Sequence, residues 1–155
     1  MIQRIQTVYL LLVSALFTAL LFLPLADISS GAATYKLEVA GLQTTTTPVA
    51  MAYSTWSLFA LAALITLLSV IVIFLYKKRI RQLRICIFNT FLIIGFCALV
   101  GFYLWQFKNS PDLPNCQVFL RFWAAFPVVS LIFNYLAIRN IGADEAMIRS
   151  LERLR

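Results

Sequence analysis

Apolar residues gather in four long runs along the chain, at 5–23, 57–76, 85–105 and 119–138, with polar, charged or proline-bearing stretches between them. A helix rises about 1.5 Å per residue, so roughly 20 residues cross a hydrocarbon layer of about 30 Å. Each run has about that length. Lipid offers no hydrogen-bond partner to irregular backbone, so each run is expected to be a membrane-spanning helix. The second, "SLFALAALITLLSVIVIFLY", holds no charge, glycine or proline, while the first ends at Pro24 and the third gives way to Lys108. The fourth carries Arg121, Pro127 and Asn134. Arg121 falls in its first turn, where a long side chain reaches the headgroups, and Pro127 predicts a bend. The first run is longer than the roughly 7–15 apolar residues of a signal peptide, and "LPLAD" is a poor cleavage site, so it reads as a retained span.

Between the first two runs the period changes. In "TYKLEVAG", residues 34–41, Tyr35, Leu37 and Val39 alternate with Lys36 and Glu38, the pattern of a half-buried strand. Ala40 and Gly41 turn the chain toward Leu42, Gln43 and the threonines at 44–47, which predicts a small outer β-hairpin over 34–47. A lone two-stranded hairpin is marginal in water, so its apolar side needs cover from the bundle or from another protein. The stretch "KNSPDLPNC", with two prolines, reads as a short irregular connector.

Beyond the fourth run the chain turns polar. Asn140 and Gly142 are expected to break the helix, and "ADEAMIRSLERLR" to restart it, with Asp144 and Glu145 at the positive helix start and Arg153 and Arg155 at the other end. Glu145 and Arg149 form an i, i+4 pair, and Met147, Ile148, Leu151 and Leu154 make a narrow apolar stripe. A free helix of about 12 residues is marginal in water, so this one is expected to dock on the leaflet, on a partner or on the inner end of the bundle. The fold class that follows is an all-α integral membrane protein. It has a four-helix transmembrane domain at 1–138, a small outer hairpin, and a short C-terminal amphipathic helix within 139–155.

Composition supports this class, with 62% apolar and 12% charged residues where globular chains carry about 25% charge. The net charge of +7 forms no nucleic-acid-binding stripe, because the basic residues sit between the apolar runs. Arg4, the cluster Lys77, Lys78, Arg79, Arg81 and Arg84, and Arg139, Arg149, Arg153 and Arg155 fall on one side, against Lys36, Lys108 and Arg121 on the other. By the positive-inside rule both ends and the middle loop are cytoplasmic, and 24–56 and 106–118 face outward. The middle cluster either anchors to anionic lipid, at about 1 kcal/mol per basic residue, or only sets the topology. If helix continues through it, Lys77, Arg81 and Arg84 share a face, and so short a loop makes the second and third helices antiparallel neighbours.

Most chemistry is excluded by inventory. The chain has no histidine, which removes imidazole metal and haem ligation and the usual general base. Its three cysteines, Cys86, Cys97 and Cys116, form no C-x-x-C; the first two sit on one helix about 16 Å apart along the axis, beyond disulfide reach. No acidic residue lies within an apolar run, where a proton relay or transport site would need one. Asp27, Glu38 and Asp112 all lie outside, with no spacing that marks an acid–base pair. Asn89 and Asn134, near the cytoplasmic ends of opposed helices, are expected to hydrogen-bond to each other or to neighbouring helices; a substrate contact is the sharper alternative. Gly95, Ala98 and Gly101 are expected to let another helix of the bundle approach closely. No catalytic constellation, cofactor site or metal site emerges.

The opening "MIQRIQTVYLLL", the four-span layout and the closing "ADEAMIRSLERLR" together resemble, over the whole chain, a bacterial membrane family known only as domain of unknown function 4293. The closing pattern rests on Asp144, Glu145, Ile148, Arg149, Ser150, Glu152, Arg153, Leu154 and Arg155. Members often carry basic residues before the acidic pair, where this chain has Ile141, Gly142 and Ala143. The resemblance implies a bacterial inner-membrane location and no catalytic activity. The function expected is that of a structural or accessory subunit, with membrane lipid and other membrane proteins as partners. Its tail, Asp144, Glu145, Met147, Ile148, Arg149, Leu151 and Leu154, is the docking element. The alternative is a small binding or transport protein for lipid, quinone or another hydrophobic solute, using a cavity near Pro127 and Asn134.

Overall fold

The computed structural model describes residues 2–30, 33–45, 51–75, 79–109 and 117–153. Its elements, in chain order, are α1 (Ile2–Leu20), β1 (Ala26–Ser30), β2 (Ala33–Leu37), β3 (Gly41–Thr44), β4 (Met51–Ser54), α2 (Trp56–Phe74), α3 (Arg79–Lys108), β5 (Gln117–Leu120), a 3₁₀ turn (Phe122–Ala125) and α4 (Phe126–Arg153). Four helices thus stand below a five-stranded antiparallel sheet of order β4-β3-β2-β1-β5. Three of them, Trp56–Phe74, Ile80–Lys108 and Phe122–Met147, are long and apolar enough to cross a membrane. The apolar part of the first, Ile5–Leu20, is shorter.

The helices pack in a ring, α1 against α2, α2 against α3, α3 against α4, and α4 back against α1. Contacts at Ser57–Tyr103 and Ser69–Asn89 show α2 and α3 running antiparallel, as the short connection between them requires. The buried positions explain the packing. They fall at Gln6, Leu10, Val13, Phe17 and Leu20 on α1; Leu58, Ala62, Ile65, Ser69 and Val72 on α2; Gln82, Cys86, Asn89, Ile93 and Phe96 on α3; and Ser130, Asn134, Ala137, Ile141 and Asp144 on α4. On every helix the steps alternate four and three, the heptad spacing of a bundle whose helices cross at about 20°. An apolar centre forms around Phe17, Phe96, Leu58, Ile65 and Ile93, with Phe17 and Phe96 packed edge to face at 5.4 Å.

The period-two reading of 34–41 holds and extends. The inward face of the sheet comprises Ala26 and Ile28, Tyr35 and Leu37, Leu42, and Val118, which stand opposite one another in register and pack on Phe107, Leu104 and Tyr103 at the end of α3. The bundle itself therefore covers the hairpin. Glu38 and Gly41 exchange backbone hydrogen bonds of 2.9 and 3.2 Å, leaving Val39 and Ala40 as the turn. Val39 is fully buried in the helical core, and the Thr55 hydroxyl donates to its carbonyl at 3.1 Å, which fixes the turn to the start of α2.

Several expectations are corrected. The hairpin is part of a larger sheet, because 26–30, 51–54 and 117–120 add three strands; the irregular connector therefore ends in β5, and its residues 110–116, with Asp112 and Cys116, lie outside the described residues. Phe119 and Leu120 belong to that strand, so α4 starts at Phe126 and not at 119. Pro127 consequently sits in the first helical turn, where its missing N–H costs nothing, and has no preceding α-helix to bend. Arg121 lies between β5 and the 3₁₀ turn, where its Nε donates to Asp27 at 2.6 Å. No break occurs at Asn140 or Gly142: α4 runs unbroken for 28 residues. The separate tail helix is its continuation.

Candidate functional site

The predicted site residues cluster at the end of the bundle opposite the sheet, where α1 begins, α3 begins and α4 ends. Here Gln6 Nε2 donates to Asp144 Oδ2 at 2.6 Å, across 138 residues of chain, and both side chains are buried. The bond takes the tail's acidic residue out of the solvent and pins α4 to α1. Beneath it lie Leu10, Val72, Cys86, Ala137 and Ile141, a buried apolar layer. Gln82 on α3 is buried at the same end. The first turn of the tail packs on the end of the bundle opposite the sheet.

Around this plug the surface is basic and partly apolar. Arg81, Arg84 and Arg139 are exposed, as are Ile80 and Met147, and Glu145 is half-buried. The backbone of α4 carries Ile148, Arg149 and Leu151 onward as helix, while their side chains, and all of Leu154, lie outside the described residues. Lys77 and Lys78 also lie outside them, and Arg79 opens α3. Helix does continue through Arg81 and Arg84, so the basic cluster is partly helical.

One turn deeper, the two buried asparagines organise a polar layer. Asn134 Nδ2 donates to the Cys86 carbonyl at 3.0 Å and to Thr90 Oγ1 at 2.8 Å, joining α4 to α3. Asn89 Nδ2 donates to Ser69 Oγ at 3.1 Å, joining α3 to α2. The asparagines therefore bind neighbouring helices and not each other. Cys86 is buried and Cys97 half-buried, both free thiols.

At the sheet end, a lateral groove of about 620 Å³ runs between α2 and α3, lined by Trp56, Ser57, Ala60, Leu64, Leu99 and Tyr103 among others. Ser57 Oγ and Tyr103 Oη are 2.8 Å apart at its edge. This groove lies away from Pro127 and Asn134, both of which are buried. Asp27, paired with Arg121, and Glu38, which accepts from Gln43 Nε2 at 3.1 Å, are engaged in the sheet and form no acid–base pair. Among the described residues there is no group of three or more acidic, cysteine or histidine side chains placed to hold a metal. Gly95 and Gly101 also depart from expectation. A Cβ at either would meet nothing within 4 Å, so no neighbouring helix of the bundle needs them, and Ala98 and Gly101 are exposed.

Sequence reading missed Gln6 and Gln82 altogether and placed Asp144 at a helix start, in the docking element of the tail. The signal was present. Gln6 stands four residues before Leu10, Gln82 four before Cys86, and Asp144 three after Ile141, each on the alternating four–three face that the helices bury. In helices apolar on all sides that face was invisible, and only its polar occupants mark it.

The family model described as "Domain of unknown function (DUF4293)" matches residues 2–154. The chain belongs to the DUF4293 family. No curated protein matches it. The closing pattern of this DUF4293 protein thus lies in α4 as far as Arg153, and Asp144 within it is the residue that α1 holds.

Proposed function

We propose that this DUF4293 protein is a multi-pass protein of the bacterial inner membrane, with both ends in the cytoplasm, that serves as a structural or accessory subunit of a membrane complex. The observation that supports the reading is the unbroken helix that carries the tail. A helix of 28 residues is about 42 Å long, well beyond a hydrocarbon core of about 30 Å, and its polar surplus lies entirely at the end pinned by Gln6 and Asp144. Such a rod presents Met147 and the turns after it at a set distance from the membrane. The exposed Ala98 and Gly101 on α3 add a lipid-facing strip on which a partner helix approaches closely. The exposed arginines at 81, 84 and 139 hold that end on the cytoplasmic side and favour an anionic leaflet.

The test is co-purification from native membranes in mild detergent, comparing the full chain with one lacking 147–155. That deletion leaves the Gln6–Asp144 bond in place, so the bundle is expected to keep its melting temperature while a stoichiometric partner is lost. A partner retained by the shortened chain would remove the tail from the docking role. A full chain that purifies alone would defeat the accessory-subunit reading.

A further inference from the structure

The hydrogen bonds of the buried polar layer fix the direction of its amides and leave their oxygens without donors. A backbone carbonyl only accepts, so the Asn134 amide must turn its nitrogen toward Cys86. Ser69 Oγ already donates to the Ile65 carbonyl at 2.8 Å, so it must accept from Asn89 and that amide is oriented too. Asn89 Oδ1 and Asn134 Oδ1 are then both buried acceptors with no partner. Ser130, on the same face of α4 one turn before Asn134, is a third: its hydroxyl has no partner. This contrasts with Ser14, Thr18, Thr66, Ser69 and Thr90, each of which donates to a carbonyl three or four residues earlier in its own helix.

We propose that Asn89, Ser130 and Asn134 form a binding site for an internal water molecule within the bundle, where α3 meets α2 and α4. The chemistry selects the ligand. It must bring at least two hydrogen-bond donors, because two amide oxygens need them, and it must accept one proton, because Ser130 offers one. It must also be small, since Ser130 and Asn134 are fully buried and Asn89 is 1% exposed. It must be neutral, because the layer contributes only uncharged oxygens, and a bare cation loses far more hydration on burial than three neutral oxygens return. Water meets all four conditions and is by far the most abundant species that does, and three polar partners are the usual number for a buried water.

Water-edited solid-state NMR of the full-length protein in lipid bilayers tests the site. Magnetisation from water is expected to reach the Asn89 and Asn134 side-chain amides several-fold faster than the backbone amides of Ile93 and Phe96, at a rate near that of exposed Arg84. Replacement of Ser130 by Val, which removes a partner and fills space, is expected to slow the transfer to Asn134 while the Gln6 side-chain signal stays unchanged. Transfer to both asparagines as slow as to Phe96 would show a dry layer and overturn the proposal. So would a shift of their side-chain resonances on exchanging sodium for potassium, which would make the ligand a cation.

Discussion

Asp144 illustrates how much one side chain's surroundings decide. As a residue near a chain end, among arginines, it looks like a solvated charge; in the fold it is 8% exposed and accepts a 2.6 Å hydrogen bond from Gln6. A hydrogen bond to a charged group contributes about 1.5–3 kcal/mol, and removing one partner leaves the other buried and unsatisfied. Asp144→Ala and Gln6→Ala are each expected to lower stability by roughly 1–3 kcal/mol, and the double variant by clearly less than the sum. Thermal unfolding in detergent reads all three. Strict additivity would show that the two residues act separately. Asn134 had an equally local signal, a polar side chain in an apolar run, but the partners it chose, Cys86 and Thr90, lie more than 40 residues away in sequence and follow only from how α3 and α4 pack.

Element boundaries depended on context in the same way. Asn140 and Gly142 are ordinary helix-ending residues, yet α4 passes through them, because Ile141 and Asp144 on either side of Gly142 are buried against α1 and neighbouring side chains, and that burial outweighs a propensity penalty of about 1 kcal/mol for glycine. A Cβ at position 142 would meet nothing within 4 Å. Gly142→Ala is therefore expected to raise stability by about 0.5–1 kcal/mol and to slow hydrogen exchange across 139–147. A hinge between two helices would respond with the opposite sign. The sheet was half legible: alternation revealed β2 and the turn after it, whereas β1, "ADISS", and β5, "QVFL", carry too little pattern in so few residues to be separated from loop and span. They become strands because the edges of β2 and then β1 offer unpaired backbone groups, and because Phe107 covers the inward face. Phe107→Ala is expected to cost about 3 kcal/mol and to raise hydrogen exchange in 26–44 while the protection of α2 stays unchanged. Equal loss in both would mean that sheet and bundle unfold as one unit.

For the molecule as a whole the central expectation is topology. In a background with Cys86, Cys97 and Cys116 replaced, a cysteine introduced at Lys36 is expected to react with a membrane-impermeant maleimide in intact cells, and one at Met147 only after the membrane is opened. Labelling of both from the same side would refute the four-crossing arrangement. The proposed arrangement also gives a reason why a mostly apolar chain specifies one packing. Within lipid, apolar burial does not distinguish one helix face from another, so the polar residues on the heptad face, Gln6, Ser69, Gln82, Asn89, Ser130, Asn134 and Asp144, are the ones that select register.

Run lengths and the period-two stretch at 34–41 are local properties, and they were sufficient for four helices, their order, and a β element between the first two. Whether α4 breaks, which strands join the sheet, and which partners Asp144, Asn89 and Asn134 take were settled only in three dimensions. The physical reason is common to all of them. Each depends on a contact between distant parts of the chain whose energy exceeds the local preference of the residues involved, and in a sequence apolar on every helix face no local pattern identifies which face makes that contact.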